Sequence, residues 1–333
     1  MKKDFKRILA GMVTTMLVVS CFGCDKSDSE LTKVTLSEVA HSIFYAPQYV
    51  AIEKGYFEEE GLDIKLVNAG GADKVMTSLL SGDADVGFMG SEASIYVYQE
   101  GEKDYAVNFA GLTQRAGNFL VGREADEDFK WEDLKGKTVL GGREGGMPQM
   151  VFEYILKKNG IDPKKDLEIV QNINFGLTAS AFANGQGDYT VEFEPFADSL
   201  ENQNEGKVVA SLGEDSGYIP YTAYCAKKSY LEENEDIILK FTKAIQKGLD
   251  YVNSHDSEEI ADIIKPQFKE TDKESLVRII DRYKNQDTWK ENVIFTQESF
   301  ELLQDVLEDA GQLKERVLYE KLVDTKIAKE AIK

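Results

Sequence analysis

Cysteine and histidine are scarce in this chain of 333 residues, and their scarcity excludes several kinds of site. Two of the three cysteines lie within the first 24 residues, which leaves Cys225 alone in the rest of the chain, and the two histidines are His41 and His255. These numbers predict neither a disulfide framework nor a metal site built from cysteine and histidine. A single thiol in so long a chain is typical of a small core residue. We therefore expect no metal and no other cofactor.

Long apolar runs are also absent, and the one apolar run near the N-terminus is short. Four basic residues among the first seven precede an uncharged stretch over 8–24, which ends at a polar sequence starting with Asp25. This stretch falls short of the about 20 apolar residues that span a bilayer as a helix. The order basic, apolar, polar is typical of an export signal that is removed from the mature protein.

The end of this signal carries two cysteines. Val18-Val19-Ser20-Cys21 resembles the bacterial lipobox, in which the signal peptidase cuts before a cysteine that has received a diacylglycerol. Cys21 is the predicted lipidation site, and Cys24 is the alternative. The sequence thus predicts a lipoprotein signal peptide at 1–20 and a lipid anchor with a short tether at 21–32. An ordinary export signal with incidental cysteines is the competing interpretation.

Basic residues are outnumbered, because 39 lysines and arginines face 60 aspartates and glutamates, for a net charge of −21. Removal of 1–20 would take away four basic residues and one acidic residue and make the balance more negative. A surface of this charge repels nucleic acid and anionic lipid headgroups. We therefore expect no nucleic-acid partner, and membrane attachment only through the lipid.

Strands and helices alternate in the pattern of two consecutive α/β units. The first unit has predicted strands at 34–39, 62–67 and 84–89, and predicted helices at 46–54, 72–80 and 93–100. The second unit has a strand ending at 140, further strands at 167–172, 188–193 and 207–212, and helices at 148–158 and 177–183. This alternation indicates open sheets with helices on both faces.

The rest of the chain suggests how the two units are joined. Helices are predicted at 235–254, 257–265, 273–285 and 297–309, followed by a charged tail after Gly311. Segments 112–120 and 218–224 are predicted to be extended crossovers between the units. We therefore expect two α/β lobes joined by a two-stranded hinge, with a ligand cleft between the lobes. The predicted bounds are 33–117 plus 222–333 for lobe 1 and 118–221 for lobe 2.

In open α/β sheets, ligands bind beyond the carboxyl ends of the strands, where helix N-termini also point. The loops at these positions offer aromatic rings, amides, hydroxyls, carboxylates and bare backbone N–H groups. The predicted ligand contacts are Ser42, Phe44, Tyr45, Gly90, Ser91, Glu92, Arg115, Gly145, Gly146, Met147, Asn174, Phe175, Glu192 and Glu194.

Several of these candidates also have a structural interpretation. Phe44 and Tyr45 could stack on a ligand ring, or pack as a hydrophobic staple at the start of the following helix. Ser91 is suited to cap the helix at 93–100, which would place Glu92 in its first turn. Glu192 and Glu194 alternate on a strand and so point the same way. Such a pair suits acid–base chemistry, hydrogen bonding to ligand N–H groups, or a salt bridge.

Several segments together resemble one family of binding proteins. They are 44–63, which is FYAPQYVAIEKGYFEEEGLD, 79–87, 133–137 and 185–188, the last followed by Glu194-Pro195. As a set they are similar to the nitrate, sulfonate, taurine and thiamine-pyrimidine-precursor binding proteins of ABC importers. The resemblance implies a type II periplasmic-binding-protein fold that clamps a small molecule between two lobes. It also implies a monomer whose partners are an ABC permease and its ATPase.

Charge and aromatic content guide the expected ligand class. Around the predicted cleft, the acidic residues Glu92, Glu144, Glu192 and Glu194 outnumber Arg115 and Arg143. An acidic cleft favours a ligand with amino or ring N–H donors, and the aromatic residues of the same loops favour a ring. We therefore prefer a heteroaromatic ligand, such as a thiamine-type pyrimidine, over a sulfonate, taurine or nitrate.

Functions of other classes stay open as alternatives. The family also contains eukaryotic pyrimidine synthases, whose chemistry depends on a histidine and a cysteine-rich motif. No cysteine cluster follows the signal here, so we expect no enzyme activity. The alternatives are a surface sensory module and a cleft enzyme that uses Glu192 or Glu194 as a base. The preferred interpretation is an importer receptor, lipid-anchored on the extracytoplasmic face of a bacterial, Gram-positive, cell membrane.

Overall fold

Two five-stranded β-sheets, covered by helices, organise the chain. The computed structural model describes residues 31–173 and 176–333. In chain order the strands are β1 (Thr32–Glu38), β2 (Leu62–Asn68), β3 (Val86–Gly90), β4 (Ala106–Gly111), β5 (Asn118–Gly122), β6 (Thr138–Leu140), β7 (Glu168–Val170), β8 (Tyr189–Phe193), β9 (Lys207–Ser211) and β10 (Thr222–Lys227). The predicted signal peptide, Cys21, Cys24, Asn174 and Phe175 lie outside the described residues.

Each sheet combines parallel strands with one reversed strand. The first sheet has the order β2-β1-β3-β10-β4, in which β1 is parallel to β2 and β3 while β10 is antiparallel to β3 and β4. The second has the order β7-β6-β8-β5-β9, in which β6 is parallel to β7 and β8 while β5 is antiparallel to β8 and β9. The chain therefore passes between the sheets twice, through 112–117 and through 212–221.

Helices follow most strands and fill the C-terminal part of the chain. They are α1 (Ala46–Glu53), α2 (Tyr56–Glu59), α3 (Ala72–Ser81), α4 (Glu92–Gln99), α5 (Met147–Lys158), α6 (Thr178–Ala183), α7 (Phe196–Asn202), α8 (Leu212–Ser216), α9 (Lys228–Glu233), α10 (Glu235–Ser254), α11 (Ser257–Ile264), α12 (Lys273–Asn285), α13 (Gln297–Asp309), α14 (Tyr319–Leu322) and α15 (Lys326–Ala331). Asp256, Asp272 and Thr296 start α11, α12 and α13, because each side chain accepts a hydrogen bond from the backbone N–H three residues on. In the part of the chain that the structure describes, no helix is long and apolar enough to cross a membrane.

Helix α10 shows how the helices are fastened to the sheets. Its apolar residues Ile238, Phe241, Ile245 and Leu249 recur every three or four positions and are all buried. The Phe241 ring packs against Tyr224 of β10, with ring centroids 5.2 Å apart. Burying side chains of this size stabilises the fold by about 1.5–3 kcal/mol each. The α10 face therefore fixes the C-terminal helices on the first sheet.

Periodicity predicts most of these elements, with two kinds of exception. The strands and helices expected for both α/β units are present, and the helices expected at 235–254 and 273–285 coincide with α10 and α12. Strand β4 was missed because every one of its residues is buried, so its sequence does not alternate. Segments 112–120 and 218–224 were predicted to be crossovers, but the last residues of the first pair within the second sheet as part of β5, and the last residues of the second pair within the first sheet as part of β10.

The prediction of a charged tail after Gly311 is wrong. Helices α14 and α15 form in this segment, where Leu322 and Ala328 are fully buried. Val323 forms a bridge with Asn108 of β4, whose Nδ2 donates to the carbonyl oxygen of Leu322 at 3.1 Å. Val317 and Ile327 of the segment are also buried, and the charged residues between these apolar positions hid the buried face in the sequence.

Candidate ligand-binding site

A cavity of about 110 Å³ lies where loops of the two sheets meet. One wall follows strands β1, β2 and β3 and includes the start of β10, and the other follows β6 and β8. The lining residues are Val39, Ala40, Ser42, Tyr45, Gly71, Ala72, Gly90, Glu92, Gly142, Arg143, Gly146, Met147, Pro148, Phe193, Tyr221 and Thr222. The cavity thus lies beyond the carboxyl ends of parallel strands, where open α/β sheets bind ligands. Of the predicted contacts, it brings together Ser42, Tyr45, Gly90, Glu92, Gly146 and Met147.

Ser42 joins the two walls of the cavity. Its Oγ accepts a hydrogen bond from the backbone N–H of Phe44 at 3.3 Å, which caps a short 3₁₀ turn over Ile43–Tyr45. The same hydroxyl donates to the carbonyl oxygen of Glu194 at 2.7 Å. Because Ser42 is buried, this contact is shielded from water and links the loop after β1 to the end of β8.

Phe44 and Tyr45 occupy different positions. Phe44 is fully buried and lies outside the lining, and its ring centroid is 5.1 Å from that of Tyr45, 5.7 Å from that of Phe193 and 5.4 Å from that of Tyr283. Tyr45 lines the cavity, and burial raises the pKa of its phenol, which therefore stays protonated. Tyr45 offers a ligand a ring and a neutral hydroxyl, while Phe44 packs behind it.

Glu92 is a buried carboxylic acid at the cavity. It is the first residue of α4 and is 3% exposed, and its Oε2 atom has no hydrogen-bond partner within 31–173 and 176–333. Burial raises the pKa of Glu92 to about 7, an effect that its own backbone N–H and Arg143 oppose. Its carboxyl group folds back over Gly90, where a Cβ atom would lie 2.2 Å from Oε2. The absence of a side chain at Gly90 therefore permits this position of the carboxyl group.

The prediction that the Ser91 side chain caps α4 is wrong. The Ser91 backbone is helical, with φ −70° and ψ −14°, and its side chain makes no capping hydrogen bond. Its hydroxyl instead donates to the carbonyl oxygen of Pro220 at 2.5 Å. Ser91 is buried outside the lining, where it ties the end of β3 to the segment that precedes β10.

The loop over 141–146, which contains four glycines, and the first turn of α5 form the opposite wall. Gly142 and Gly145 have φ values of +85° and +74°, which side chains other than glycine rarely adopt. Gly145 lies outside the lining, where its N–H donates to Gln149 Oε1 at 2.9 Å and its carbonyl accepts from the Tyr96 hydroxyl at 3.2 Å. Since the first residues of α5 line the cavity, this wall combines Arg143 with the positive end of a helix dipole.

Glu192 and Glu194 lie outside the lining, whereas Phe193 between them belongs to it. Glu192 is buried and accepts hydrogen bonds from the hydroxyls of Thr178 at 3.0 Å and Thr190 at 2.6 Å. Glu194 is ion-paired with Arg282, which is the salt bridge that the sequence left open. Both carboxylates are thus satisfied by neighbouring protein groups.

Arg115 is also placed outside the lining. Its Nη1 donates to the carbonyl oxygen of Gly213 at 3.1 Å, and its guanidinium lies 4.2 Å from the centre of the Tyr218 ring. These contacts connect the two segments that pass between the sheets. Arg115 therefore holds the two crossovers together and does not line the cavity. Of the two arginines considered in the sequence, Arg143 lines it.

Several lining residues were missed by the predicted set. Tyr221 and Thr222 fall in the segment predicted as a crossover, and only the pairing of β10 with β3 brings them to the cavity. Phe193 was not predicted, because strand alternation assigns the residues of β8 to two faces but does not determine which face lines the cavity. Val39 and Ala40 directly follow the first predicted strand, so the topology rule could have included them.

The charge of the lining differs from the acidic excess that the sequence predicted. Of the lining residues that belong to the described part of the chain, Glu92 and Arg143 are charged, and the others are apolar, aromatic or neutral. Across the described residues, no group of three histidine, cysteine, aspartate or glutamate side chains could hold a metal ion. The site is therefore a mostly apolar cavity with one acidic and one basic group.

Comparisons with known proteins match this architecture. Residues 43–259 match the family described as NMT1/THI5 like. The chain is 48% identical over 318 residues to the Bacillus subtilis protein named "Putative binding protein YtlA", covering 96% of this chain and 95% of that protein. It is 25% identical over 229 residues to 4-amino-5-hydroxymethyl-2-methylpyrimidine phosphate synthase of Aspergillus parasiticus, covering 63% of each. The alkanesulfonate-binding protein SsuA of Xanthomonas axonopodis pv. citri, solved with MOPS, aligns with a TM-score of 0.71 at 16% identity, covering 89% of this chain and 99% of that one.

The two sheets have the periplasmic-binding-protein fold, and the likeness to solved structures confirms that prediction. The chain belongs to the NMT1/THI5-like family, which confirms the resemblance found in the sequence. The relative with a binding-protein name matches along nearly the whole chain, whereas the similarity to the synthase is more distant.

Proposed function

We propose that this protein is the solute-binding component of an ABC importer, held on the extracytoplasmic face of a Gram-positive cell membrane by a lipid on Cys21 or Cys24. The observation that carries the proposal is a cavity whose lining comes from both sheets. A ligand that touches both walls stabilises the state in which the walls are close. Such closure is a means by which binding proteins signal that they are loaded. Family membership and the binding-protein relative support this role.

Closure requires two lobes and a hinge. We infer that residues 33–117 with 222–333 form lobe 1 and that 118–221 form lobe 2. Besides the contact from Arg115 to Gly213, hydrogen bonds at the ends of the crossovers join them. The Tyr221 hydroxyl donates to Asn118 Oδ1 at 2.6 Å, and the Thr222 N–H donates to Thr113 Oγ1 at 3.0 Å. The contact from Ser42 to the Glu194 carbonyl links the lobes beside the cavity. We expect the crossover bonds to persist on opening and the Ser42 contact to break.

The lining favours a ring-containing ligand. Tyr45, Phe193 and Tyr221 contribute aromatic surface, and most other lining residues are apolar. A planar heteroaromatic ring can bury its faces against these apolar side chains. Taurine and nitrate have no ring and would leave the apolar lining uncovered. A thiamine-type pyrimidine is therefore the preferred ligand. Arg143 and the N-terminus of α5 favour a sulfonate or nitrate as the second candidate.

Calorimetric titration of the full chain, purified in detergent, tests the ligand class. The probes are 4-amino-5-hydroxymethyl-2-methylpyrimidine, taurine and nitrate, and the pyrimidine is expected to bind most tightly. Binding of taurine or nitrate without a response to the pyrimidine would overturn the preference. Recovery of unchanged pyrimidine after incubation is the expected result for a binding protein, and turnover would indicate an enzyme instead.

Lipid attachment has a separate test. In cells grown with labelled palmitate, the chain is expected to carry the label and to fractionate with the membrane. The substitution Cys21→Ser is expected to abolish labelling, and Cys24→Ser to preserve it. The reverse pattern would assign the lipid to Cys24. If the unsubstituted chain carries no label, the lipid anchor is rejected.

A further inference from the structure

Two buried oxygen atoms without partners belong to neighbouring residues at one end of the cavity. Thr222 of β10 is the register partner of Gly90 in β3, and the Glu92 carboxyl group folds back over Gly90. Among the residues that the structure describes, Glu92 Oε2 and Thr222 Oγ1 both lack a hydrogen-bond partner, although the two residues are only 3% and 1% exposed. The Thr222 hydroxyl is near enough to the Tyr45 phenol to lower its pKa slightly against the effect of burial, but the contact between them is not a well-formed hydrogen bond in the described part of the chain. Buried polar atoms are nearly always paired, so two unpaired acceptors in one lining indicate a ligand that donates to them.

We propose that Glu92 Oε2 and Thr222 Oγ1 form an amino-recognition subsite, which takes an –NH₂ or –NH₃⁺ group of the ligand. This inference rests on the proposed binding function and adds the chemistry by which the ligand is selected. Above its raised pKa of about 7 the Glu92 carboxyl group is ionised and only accepts hydrogen bonds, and a threonine hydroxyl can accept one as well. The titrations are therefore run above that pH. One nitrogen with two N–H groups therefore satisfies both atoms, whereas a methyl group in the same place leaves both unpaired.

The opposite wall determines how the rest of the ligand lies. Arg143 and the first turn of α5 offer positive charge and backbone donors, and the rings of Tyr45 and Phe193 contribute apolar surface to the same cavity. The ligand thus points its amino group at Glu92 and its acceptor atoms at Arg143. Both an aromatic amine and an aliphatic ammonium group carry the required donors, so the experiment includes one probe of each kind.

Calorimetry with a matched pair of probes tests the subsite on the full chain in detergent. 4-Amino-2-methylpyrimidine and 2,4-dimethylpyrimidine differ by one amino group in place of a methyl group, and taurine supplies the aliphatic ammonium. We expect the amino probe to bind at least about tenfold more tightly than its methyl analogue, because the analogue leaves two buried oxygen atoms without a hydrogen bond. Glu92→Gln and Thr222→Val are expected to reduce this preference to below about threefold.

Two control substitutions remove similar groups elsewhere. Thr178 and Glu153 are buried, lie outside the lining, and have partners: the Thr178 hydroxyl donates to Glu192, and Glu153 accepts from Gln149. Thr178→Val and Glu153→Gln are expected to keep the preference. If Thr222→Val does not fold, as judged by thermal unfolding, Thr222→Ala replaces it and is likewise expected to reduce the preference to below about threefold, because it also lacks the hydroxyl. Thr222→Ser is expected to keep the preference because it retains the hydroxyl.

The outcomes separate this inference from the proposed function. Tight taurine binding that is lost in Glu92→Gln supports the subsite and assigns it to an aliphatic ammonium group. Equal binding of the two pyrimidines, or a preference that survives both cavity substitutions, overturns the subsite. Failure of all three probes also overturns it, but a different small molecule that co-purifies by native mass spectrometry would leave the importer role standing. With no small molecule bound at all, both proposals fall.

Discussion

Arg282 of α12 is ion-paired with the buried carboxylate of Glu194, the residue that follows β8. The Nη2 atom of the same arginine contacts Glu201 Oε2 at 2.6 Å, so one guanidinium holds two acidic side chains. The N–H of Asp198 donates to the second oxygen of Glu194 at 2.8 Å. This network fixes α12 against the end of the strand whose last residue, Phe193, lines the cavity.

Removal of the arginine would leave the buried Glu194 carboxylate without its counter-ion. Arg282→Met is therefore expected to lower the free energy of unfolding by about 3 kcal/mol, measured by urea denaturation. Arg316→Met is the matched control, because its partners Glu301 and Asp305 are exposed, and a change below about 1 kcal/mol is expected. Equal losses in the two variants would show that burial does not set the strength of the Arg282 network.

The sequence predicted the framework of the fold because local signals determine it. Alternation and helical spacing located the strands and helices of both units, and the order of strands placed a ligand beyond their carboxyl ends. The lining of the cavity needed information that is not local. Alternation puts Glu192 and Phe193 on opposite sides of β8, but only the packed structure shows that Phe193 lines the cavity.

Pairings between distant segments account for most of the remaining differences. Thr222 reaches the cavity because β10 pairs antiparallel with β3. The residues near position 222 do not indicate which distant strand β10 pairs with. Ser91 has a residue type and position suited to capping, yet a carbonyl more than a hundred residues away takes its hydroxyl. Local propensity cannot anticipate such a competitor.

The C-terminal segment yields a paired prediction about stability. Leu318 and Leu322 are four residues apart, but Leu318 is 62% exposed and Leu322 is fully buried. Leu322→Ala is expected to lower the free energy of unfolding by about 2–5 kcal/mol through the cavity that it creates. Leu318→Ala is expected to change it by less than about 0.5 kcal/mol. Similar small effects of both substitutions in urea denaturation would show that this segment adds little to the core.

Glu192 predicts a pH dependence of stability. Burial raises the pKa of Glu192 to about 7, against the opposing hydrogen bonds from Thr190 and Thr178, while an unfolded glutamate titrates near about 4.3. Because the folded pKa is the higher one, the stability that Glu192 contributes is complete below the unfolded pKa and is lost as the pH rises through 7. Its contribution falls by about 1.4 kcal/mol per pH unit between these values.

Glu192→Gln removes this titration and is expected to make the fall of the unfolding free energy between pH 4.5 and pH 7 shallower by about that slope. Urea denaturation at half-unit pH intervals measures the difference from the parent chain. The exposed Glu298→Gln serves as the control and should reproduce the parent slope. A Glu192→Gln profile parallel to the parent profile would show that Glu192 does not bind a proton in this range.

Two glycines test whether the position of the Glu92 carboxyl group matters for binding and not for folding. An added Cβ atom would meet Glu92 Oε2 at 2.2 Å in Gly90→Ala, and the carbonyl oxygen of Pro47 at 2.2 Å in Gly248→Ala. A side-chain end can swing away, but a backbone carbonyl cannot. Gly248→Ala is therefore expected to destabilise the fold by about 1–3 kcal/mol, and Gly90→Ala by less than about 1 kcal/mol.

Gly90→Ala should instead act on the ligand, because it turns the carboxyl group away from the proposed amino subsite. We expect about a tenfold loss of affinity for 4-amino-2-methylpyrimidine by calorimetry, with the affinity for the methyl analogue unchanged. Adding Glu92→Ala to Gly90→Ala should cause little further loss, since both substitutions remove the same contact. Losses that simply multiply in the double variant would mean that Gly90 shapes the cavity independently of Glu92.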